Sequence, residues 1–383
     1  MKNKVWIGIV VVLIAIVVFW GIHNQNRESD NQNTIKVGVV AFLSGQLGQV
    51  GNDYLDGIKL AQKKVNTIHE GLEIELFIED AKNSSKEAVA SFKKIQMHDV
   101  SAFLMCGDNQ VPPTVPLAIT AKIPVLASIL GSTKSLELNH TGDTWLFINW
   151  ISIKLISESL ADYSASELGL KQIALLTVES EYGEEARNVF SERFKKNGGS
   201  ISNSETFAQD ATTLRLQISK ILAHKPQAIY VVGFGGAYIA AINQIKETGF
   251  DGVILTETSI INPESKQGIS DFNNIIYADT EFEFAQSVPY GKAFFDSYVE
   301  EYGKEPSLFS AFGYDSVMLL VNAVQTSGTS KRDIRDGLLK IQNEQTLNGS
   351  VSFQSNGEVT FLPILKKLDK NGNFTVISKN YER

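Results

Sequence analysis

From Ile35 onward the apolar positions switch between two spacings. Ile35-Lys36-Val37-Gly38-Val39-Val40 is a β-branched run with the character of a strand. The glycine-punctuated segment Ser44-Gly45-Gln46-Leu47-Gly48 turns the chain. Tyr54, Ile58, Ala61 and Val65 then recur at spacings of four, three and four, which predicts one face of a helix. Ile74, Leu76 and Ile78 return to period two, and Ala88, Phe92 and Ile95 mark a second helix. The same rhythm predicts strands over 102–106, 123–127, 173–178, 228–232, 253–256 and 275–278. Helical stripes at Ala186/Val189/Phe190, Leu214/Ile218/Ile221 and Ile239/Ile242 fall between the later strands. Strand–helix–strand repetition of this kind predicts parallel sheets covered by helices on both faces.

Later in the chain the pattern changes. Helices are predicted around 294–302, 317–324 and 334–341 in near succession. Strand-like segments over 350–353 and 361–368 follow, with Asn356-Gly357 and Asn371-Gly372 as turn signals. No self-repeat of the kind that builds a solenoid stands out.

The start of the chain belongs to neither pattern. A short basic opening, Met1-Lys2-Asn3-Lys4, precedes an uncharged apolar run from Val5 to Ile22 and a polar stretch from His23 to Thr34. The run reaches the lower limit for a single membrane-spanning helix, and the two lysines favour an inside N-terminus. It ends in Phe19-Trp20-Gly21-Ile22-His23, without the small residues of a cleavage site. The only cysteine is Cys106, so no lipid-modified cysteine follows the run. An uncleaved signal anchor with a polar linker is expected over 1–33, and the remainder is expected outside the cytoplasm even if that segment is removed.

Composition narrows the class. One cysteine allows no internal disulfide framework, so the exported part relies on its core. About 350 residues exceed one typical domain, which makes two lobes the expectation. A net charge of −8 and the absence of any basic run argue against a nucleic-acid partner.

Templates for catalysis are missing: no G-x-S-x-G elbow, no H-E-x-x-H and no phosphate-cradling loop. His23, His69, His98, His140 and His224 stand alone in polar, helix-end or loop contexts, and no metal is expected. Gly233-Phe234-Gly235 follows a predicted strand, as in a dinucleotide fingerprint, but the third glycine of that pattern falls on Tyr238. These glycines are read as a tight strand-to-helix turn, and no cofactor is expected. The N-x-[ST] sequons at Asn83, Asn139, Asn348 and Asn373 are read as chance matches.

The stretch IKVGVVAFLSGQLGQVGNDYLDGIKLAQKKVN resembles the opening of type I periplasmic binding proteins, above all the branched-chain amino-acid (leucine/isoleucine/valine) binding family of ABC importers. KIPVLAS at 122–128, Glu181-Tyr182-Gly183 and LNGSVSFQSNG at 347–357 extend the resemblance over essentially all of 35–383. Individually these motifs are only moderately specific; their order and spacing carry the likeness. It implies an α/β protein of two doubly wound parallel-sheet lobes joined by a three-crossing hinge, with a ligand in the cleft between them. Crossings are then expected near 147–152, 280–284 and 358–361. The first lobe would hold 34–150 plus 284–357, and the second 151–283 plus 358–383.

The resemblance also implies site residues. Ser132, in Leu130-Gly131-Ser132-Thr133, falls where the family places a hydroxyl on the ligand α-carboxylate; an ordinary N-cap serine is the competing reading. Thr133 is the same type one step along. Glu257 matches the acidic residue that receives the ligand ammonium, against the alternative of a solvated loop glutamate. A carboxylate at a buried strand end is costly unless paired or hydrated. Tyr182 matches the aromatic that covers the ligand from the second lobe, with simple packing as the alternative. Phe234 aligns more loosely with a second pocket aromatic, and core packing is the preferred reading there. Departures accompany these matches. Val111 stands where the family has a second serine, Val50 where an aromatic is expected, and Phe147-Ile148-Asn149 lacks a basic residue at its second position. A lost hydroxyl removes one charge-assisted hydrogen bond, roughly 1.5–3 kcal/mol, which weakens the expectation of a branched-chain amino acid.

By resemblance, then, the chain is expected to be a monomer, not an enzyme, that captures an amino acid or a related small polar solute and delivers it to an ABC permease. A sensing module reporting to a membrane partner is the alternative, and an exported α/β enzyme a more distant one.

Overall fold

The computed structural model describes residues 34–45, 47–68, 71–140 and 142–378; the expected signal anchor and its linker lie outside them. Among the described residues no helix is long and apolar enough to cross a membrane.

The first sheet joins β1 (Thr34–Ala41), β2 (Glu73–Asp80), β3 (Ala102–Cys106), β4 (Val125–Ser128) and β5 (Leu146–Ile148) in the order β2-β1-β3-β4-β5, with every neighbouring pair parallel. Its crossovers run through α1 (Gly48–Ile68), α2 (Ser85–Gln96) and α3 (Val111–Ala121). Alternate residues of each strand serve opposite faces. Val37 and Val39 of β1 and Leu104 of β3 join the core that contains Tyr54 and Ile58 of α1. Val40, Phe103 and Met105 belong to a separate core with Phe92 of α2 and Val115 of α3. Burial on both faces explains why these strands read as almost unbroken apolar runs.

After α4 (Ile153–Ser166) the second sheet opens with β6 (Gln172–Val178), α5 (Glu181–Lys196), β7 (Ser200–Phe207), α6 (Arg215–Ala223), β8 (Ala228–Val232), α7 (Gly235–Glu247), β9 (Val253–Thr256), the short α8 (Pro263–Gly268) and β10 (Ile275–Asp279). Here Ile173 and Leu175 of β6 pack with Phe190 and Phe194 of α5, while Ala174 and Leu176 face Ile218 of α6 and Ile242 of α7.

The chain then returns to the first lobe through the short α9 (Phe282–Ala285), followed by α10 (Pro289–Tyr302), α11 (Leu308–Ser327) and α12 (Lys331–Leu338). Residues of α11, among them Ala311 and Phe312, share the core of α1 and the first sheet. Two glycines permit the close crossing of α1 and α11. A Cβ on Gly57 would lie 1.9 Å from Ser310 O, and one on Gly313 2.0 Å from Tyr54 O. A small antiparallel sheet of β11 (Glu344–Thr346), β12 (Gly349–Phe353) and β13 (Val359–Thr360) follows, with Phe353 edge-on to Phe147. β14 (Ile364–Leu368) and β15 (Phe374–Ser378) close the chain by joining the second sheet, whose order is β15-β14-β10-β9-β8-β6-β7.

The polypeptide therefore passes between the lobes three times, between β5 and α4, after β10, and between β13 and β14. A buried ion cluster sits at the second and third passages, where Lys366 Nζ of β14 lies 2.8 Å from Asp279 and 2.6 Å from Glu283.

Several elements differ from the sequence-based expectation. β14 and β15 pair antiparallel, so the second sheet is mixed. The crossing expected over 147–152 begins later, because Leu146–Ile148 is the edge strand β5. β7 was not predicted: its sequence SISNSETF lies at a sheet edge with a single fully buried residue, so it lacks the apolar alternation of the inner strands. The strand expected over 361–368 begins at Ile364, because Phe361-Leu362-Pro363 forms the third passage.

Candidate functional site: a cleft between two lobes

Both sheets point the carboxyl ends of their parallel strands at one cleft of about 680 Å³. In open α/β sheets this is where loops and helix N-termini leave polar groups free for a ligand. The loop after β4 brings Leu130, Gly131 and Ser132, and the loop after β3 brings Asp108. From the second lobe come Tyr182 after β6, Phe234 after β8 and Glu257 after β9. Trp150 and Ile151, on the first passage between lobes, form its floor with Phe309 of α11.

Glu257 is the most unusual group in the cleft. It begins the short turn after β9 and is 1% exposed. Its Oε2 accepts from Ser259 N at 2.7 Å, while Oε1 has no hydrogen-bond partner. Burial pushes its carboxyl up to about 7, against the smaller opposing pull of the Ser259 N–H. The Tyr182 phenol stands near enough to favour the charged form, yet it does not satisfy Oε1. A buried carboxylate oxygen without a partner is costly and unusual in a folded protein.

Aromatic rings frame this carboxylate. Tyr182 and Phe234, both half-buried, have ring centroids 6.3 Å apart at 55°. Across the cleft Trp150 stacks on Phe309 at 6.2 Å and 7°, and leans on Phe312 at 4.5 Å. Phe234 thus lines the cleft and also packs against the second lobe's core. The glycines beside it make the tight turn read from the sequence, with Gly235 at φ +65. Tyr238, where a nucleotide fingerprint needs its third glycine, is buried and hydrogen-bonded to Thr256 at 2.7 Å.

Ser132 and Thr133 take part in a contact that spans the lobes. Ser132 Oγ donates to Glu185 Oε2, and Thr133 Oγ1 to Glu185 Oε1, each at 2.9 Å. Thr133 does not line the main cleft; it faces an adjoining groove with Glu185, Lys154 and Glu358. Beside them Asp108 takes both oxygens to Gly131 N, at 3.0 and 3.1 Å. Lys134 Nζ lies 3.8 Å from Glu181, an exposed pair.

The departures noted in the sequence fall outside the cleft. Val111 and Ile148 are buried in the first lobe's core, and Val50 packs against the edge of the main core. Asp108, Glu185, Trp150 and Phe309 were not singled out from sequence. Asp108 follows directly on Cys106-Gly107 at the end of β3, a strand-end position that could have flagged it. Glu185 carries no such signal, because its partners lie more than fifty residues away on the other lobe.

A family model described as "Periplasmic binding protein" matches residues 34–361. No curated protein sequence matches the chain. Among solved structures, the leucine-binding protein LivK of Thermotoga maritima is 23% identical, with 90% of this chain and 98% of that one covered at a TM-score of 0.76. The branched-chain amino acid transporter substrate-binding protein LivJ of Streptococcus pneumoniae, in complex with isoleucine, is 24% identical over 90% and 99%, at 0.73. An ABC-transporter solute-binding protein of Rhodopseudomonas palustris, in complex with 3,4-dihydroxybenzoic acid, is 19% identical over 91% and 98%, at 0.73. At these identities the neighbours share a fold, and the family match, which spans both lobes and the cleft, shows that the chain belongs to the periplasmic binding protein family.

Proposed function

We propose that the protein captures a small solute bearing an ammonium group, shuts its two lobes over it, and passes it to an ABC permease. The observation that carries this reading is Glu257, a buried carboxylate whose Oε1 lacks a partner inside a cleft of ligand size. An ammonium placed there would supply the missing hydrogen bonds and offset the cost of burying the charge. Tyr182 and Phe234 would cover the ligand from the second lobe, and Trp150 and Phe309 would hold its apolar part.

The transport role rests on the family and on structural neighbours that include a branched-chain amino acid transporter substrate-binding protein and the solute-binding protein of an ABC transporter. The aromatic acid bound by the Rhodopseudomonas neighbour shows that this fold serves more than one solute class. In the same reading the protein works as a monomer outside the cytoplasm, held at the membrane by the apolar segment Val5–Ile22. It is a binding protein that performs no catalysis, and it needs no cofactor or metal.

A thermal-shift screen of the full-length protein in mild detergent, against amino acids, amides, amines, urea and short peptides, tests the reading. A solute at a hundredfold excess over its dissociation constant adds about 2.7 kcal/mol to the native state. The expected result is a shift with an amine-bearing compound that is lost in Glu257→Gln. A shift only with solutes lacking an amino group contradicts it.

A further inference from the structure

Carboxylates already hold donors that a ligand carboxylate would need, Asp108 within the cleft and Glu185 from the groove beside it. Glu185 accepts both hydroxyls of the Ser132–Thr133 step, and Asp108 accepts the Gly131 N–H beside them. The N-terminus of α5, which would otherwise attract an anion, is flanked by Glu181, Glu184 and Glu185. Among the described residues lining the cleft Lys134 is the only cation, and it stands beside Glu181. An incoming carboxylate therefore meets occupied donors and negative charge, whereas a cation meets the unpartnered Glu257 oxygen.

We infer that Glu185 is a specificity-determining residue: from the groove beside the cleft it takes the Ser132 hydroxyl that faces the cleft, so that the cleft takes an organic ammonium ion with an apolar body and no carboxylate. The inference rests on the proposed capture of an amine and narrows its chemistry. Selection arises partly by repulsion, since a zwitterionic amino acid would have to displace a carboxylate already holding two hydroxyls. Glu185 contributes this only when the lobes approach, because it belongs to the second lobe and its hydroxyl partners to the first. Specificity and closure are in that sense one contact.

Matched pairs that differ only by the carboxylate test the idea: phenethylamine with phenylalanine, isoamylamine with leucine, and cadaverine with lysine. Titration calorimetry on the full-length protein in detergent is expected to show at least one amine binding ten times or more tighter than its amino acid. In Glu185→Ala that preference should fall by fivefold or more, through gained affinity for the amino acid; Glu185→Gln, which keeps the side-chain shape, guards against a folding defect. An amino acid that binds wild type as well as its amine, with Glu257→Gln abolishing both, overturns the inference and leaves amine capture standing. A preference unchanged in both Glu185 variants also overturns it. Binding of no pair, or binding indifferent to Glu257→Gln, removes the capture reading itself.

Discussion

Ser132 of the first lobe and Glu185 of the second share a 2.9 Å hydrogen bond across the mouth of the cleft, and Thr133 doubles it from the next position. Contacts of this kind exist only while the lobes are together, and so bias the open–closed equilibrium. Each charge-assisted bond contributes at most about 1.5–3 kcal/mol, less here because the groups are half-exposed. Glu185→Ala should shift the unliganded protein towards open forms. Small-angle scattering is expected to show a larger radius of gyration for the variant without ligand and the wild-type value once ligand is bound.

The buried carboxyls give the protein a definite pH response. Burial raises Glu257 and Asp315 each to about 7, although Asp315 accepts from Leu347 N at 3.0 Å and Asn348 Nδ2 at 2.8 Å. Both therefore hold a proton more tightly folded than unfolded. The stability this provides is complete below their unfolded values and is lost as pH rises through about 7. The loss is on the order of 3 kcal/mol per group. Urea unfolding of the unliganded protein should show stability falling between pH 5 and 8, with Asp315→Asn removing part of the slope.

Ligand binding should move the opposite way. A permanent ammonium needs Glu257 ionised, and below about 7 that proton must first leave. Affinity is expected to strengthen by up to tenfold per pH unit until about 7 and then level off. In Glu257→Gln the titration curve should be flat.

How far the sequence carried these conclusions depended on where each residue gets its environment. Strands β1, β3, β6 and β8 were legible because both faces are buried and their apolar runs say so. β7 was not, because an edge strand with one buried residue offers no periodicity. Glu257 was legible as a strand-end acid matching a family pattern, whereas its orphaned oxygen depends on packing that no local pattern records. Ser132 was read from the sequence as a ligand-facing hydroxyl, but its Glu185 partner was not: that contact exists only through the juxtaposition of two separately folded sheets.

Helix packing offers a test of the first lobe. Alanine at Gly57 would place Cβ 1.9 Å from Ser310 O, and at Gly313 2.0 Å from Tyr54 O, so α1 and α11 would have to separate. Each substitution should cost about 1–3 kcal/mol in denaturant melts. Because both relieve themselves by the same separation, the double variant should cost less than the sum.

At the hinge, Lys366→Met should remove the cation held between Asp279 and Glu283 while keeping its volume. Asp279, itself 1% exposed, would then be buried without a counter-ion. The expected destabilisation is about 3–5 kcal/mol, and adding Asp279→Asn should recover part of it in the same unfolding assay.

The most direct measurement is a calorimetric comparison of wild type and Glu257→Gln, as full-length proteins at pH 8, with whichever amine gives the largest thermal shift. Loss of the charge that receives the ammonium should weaken binding by about thirtyfold or more, with the fold intact by circular dichroism. Equal affinity in the two proteins would contradict Glu257 as the ammonium acceptor, and with it the reading of the cleft as an amine site.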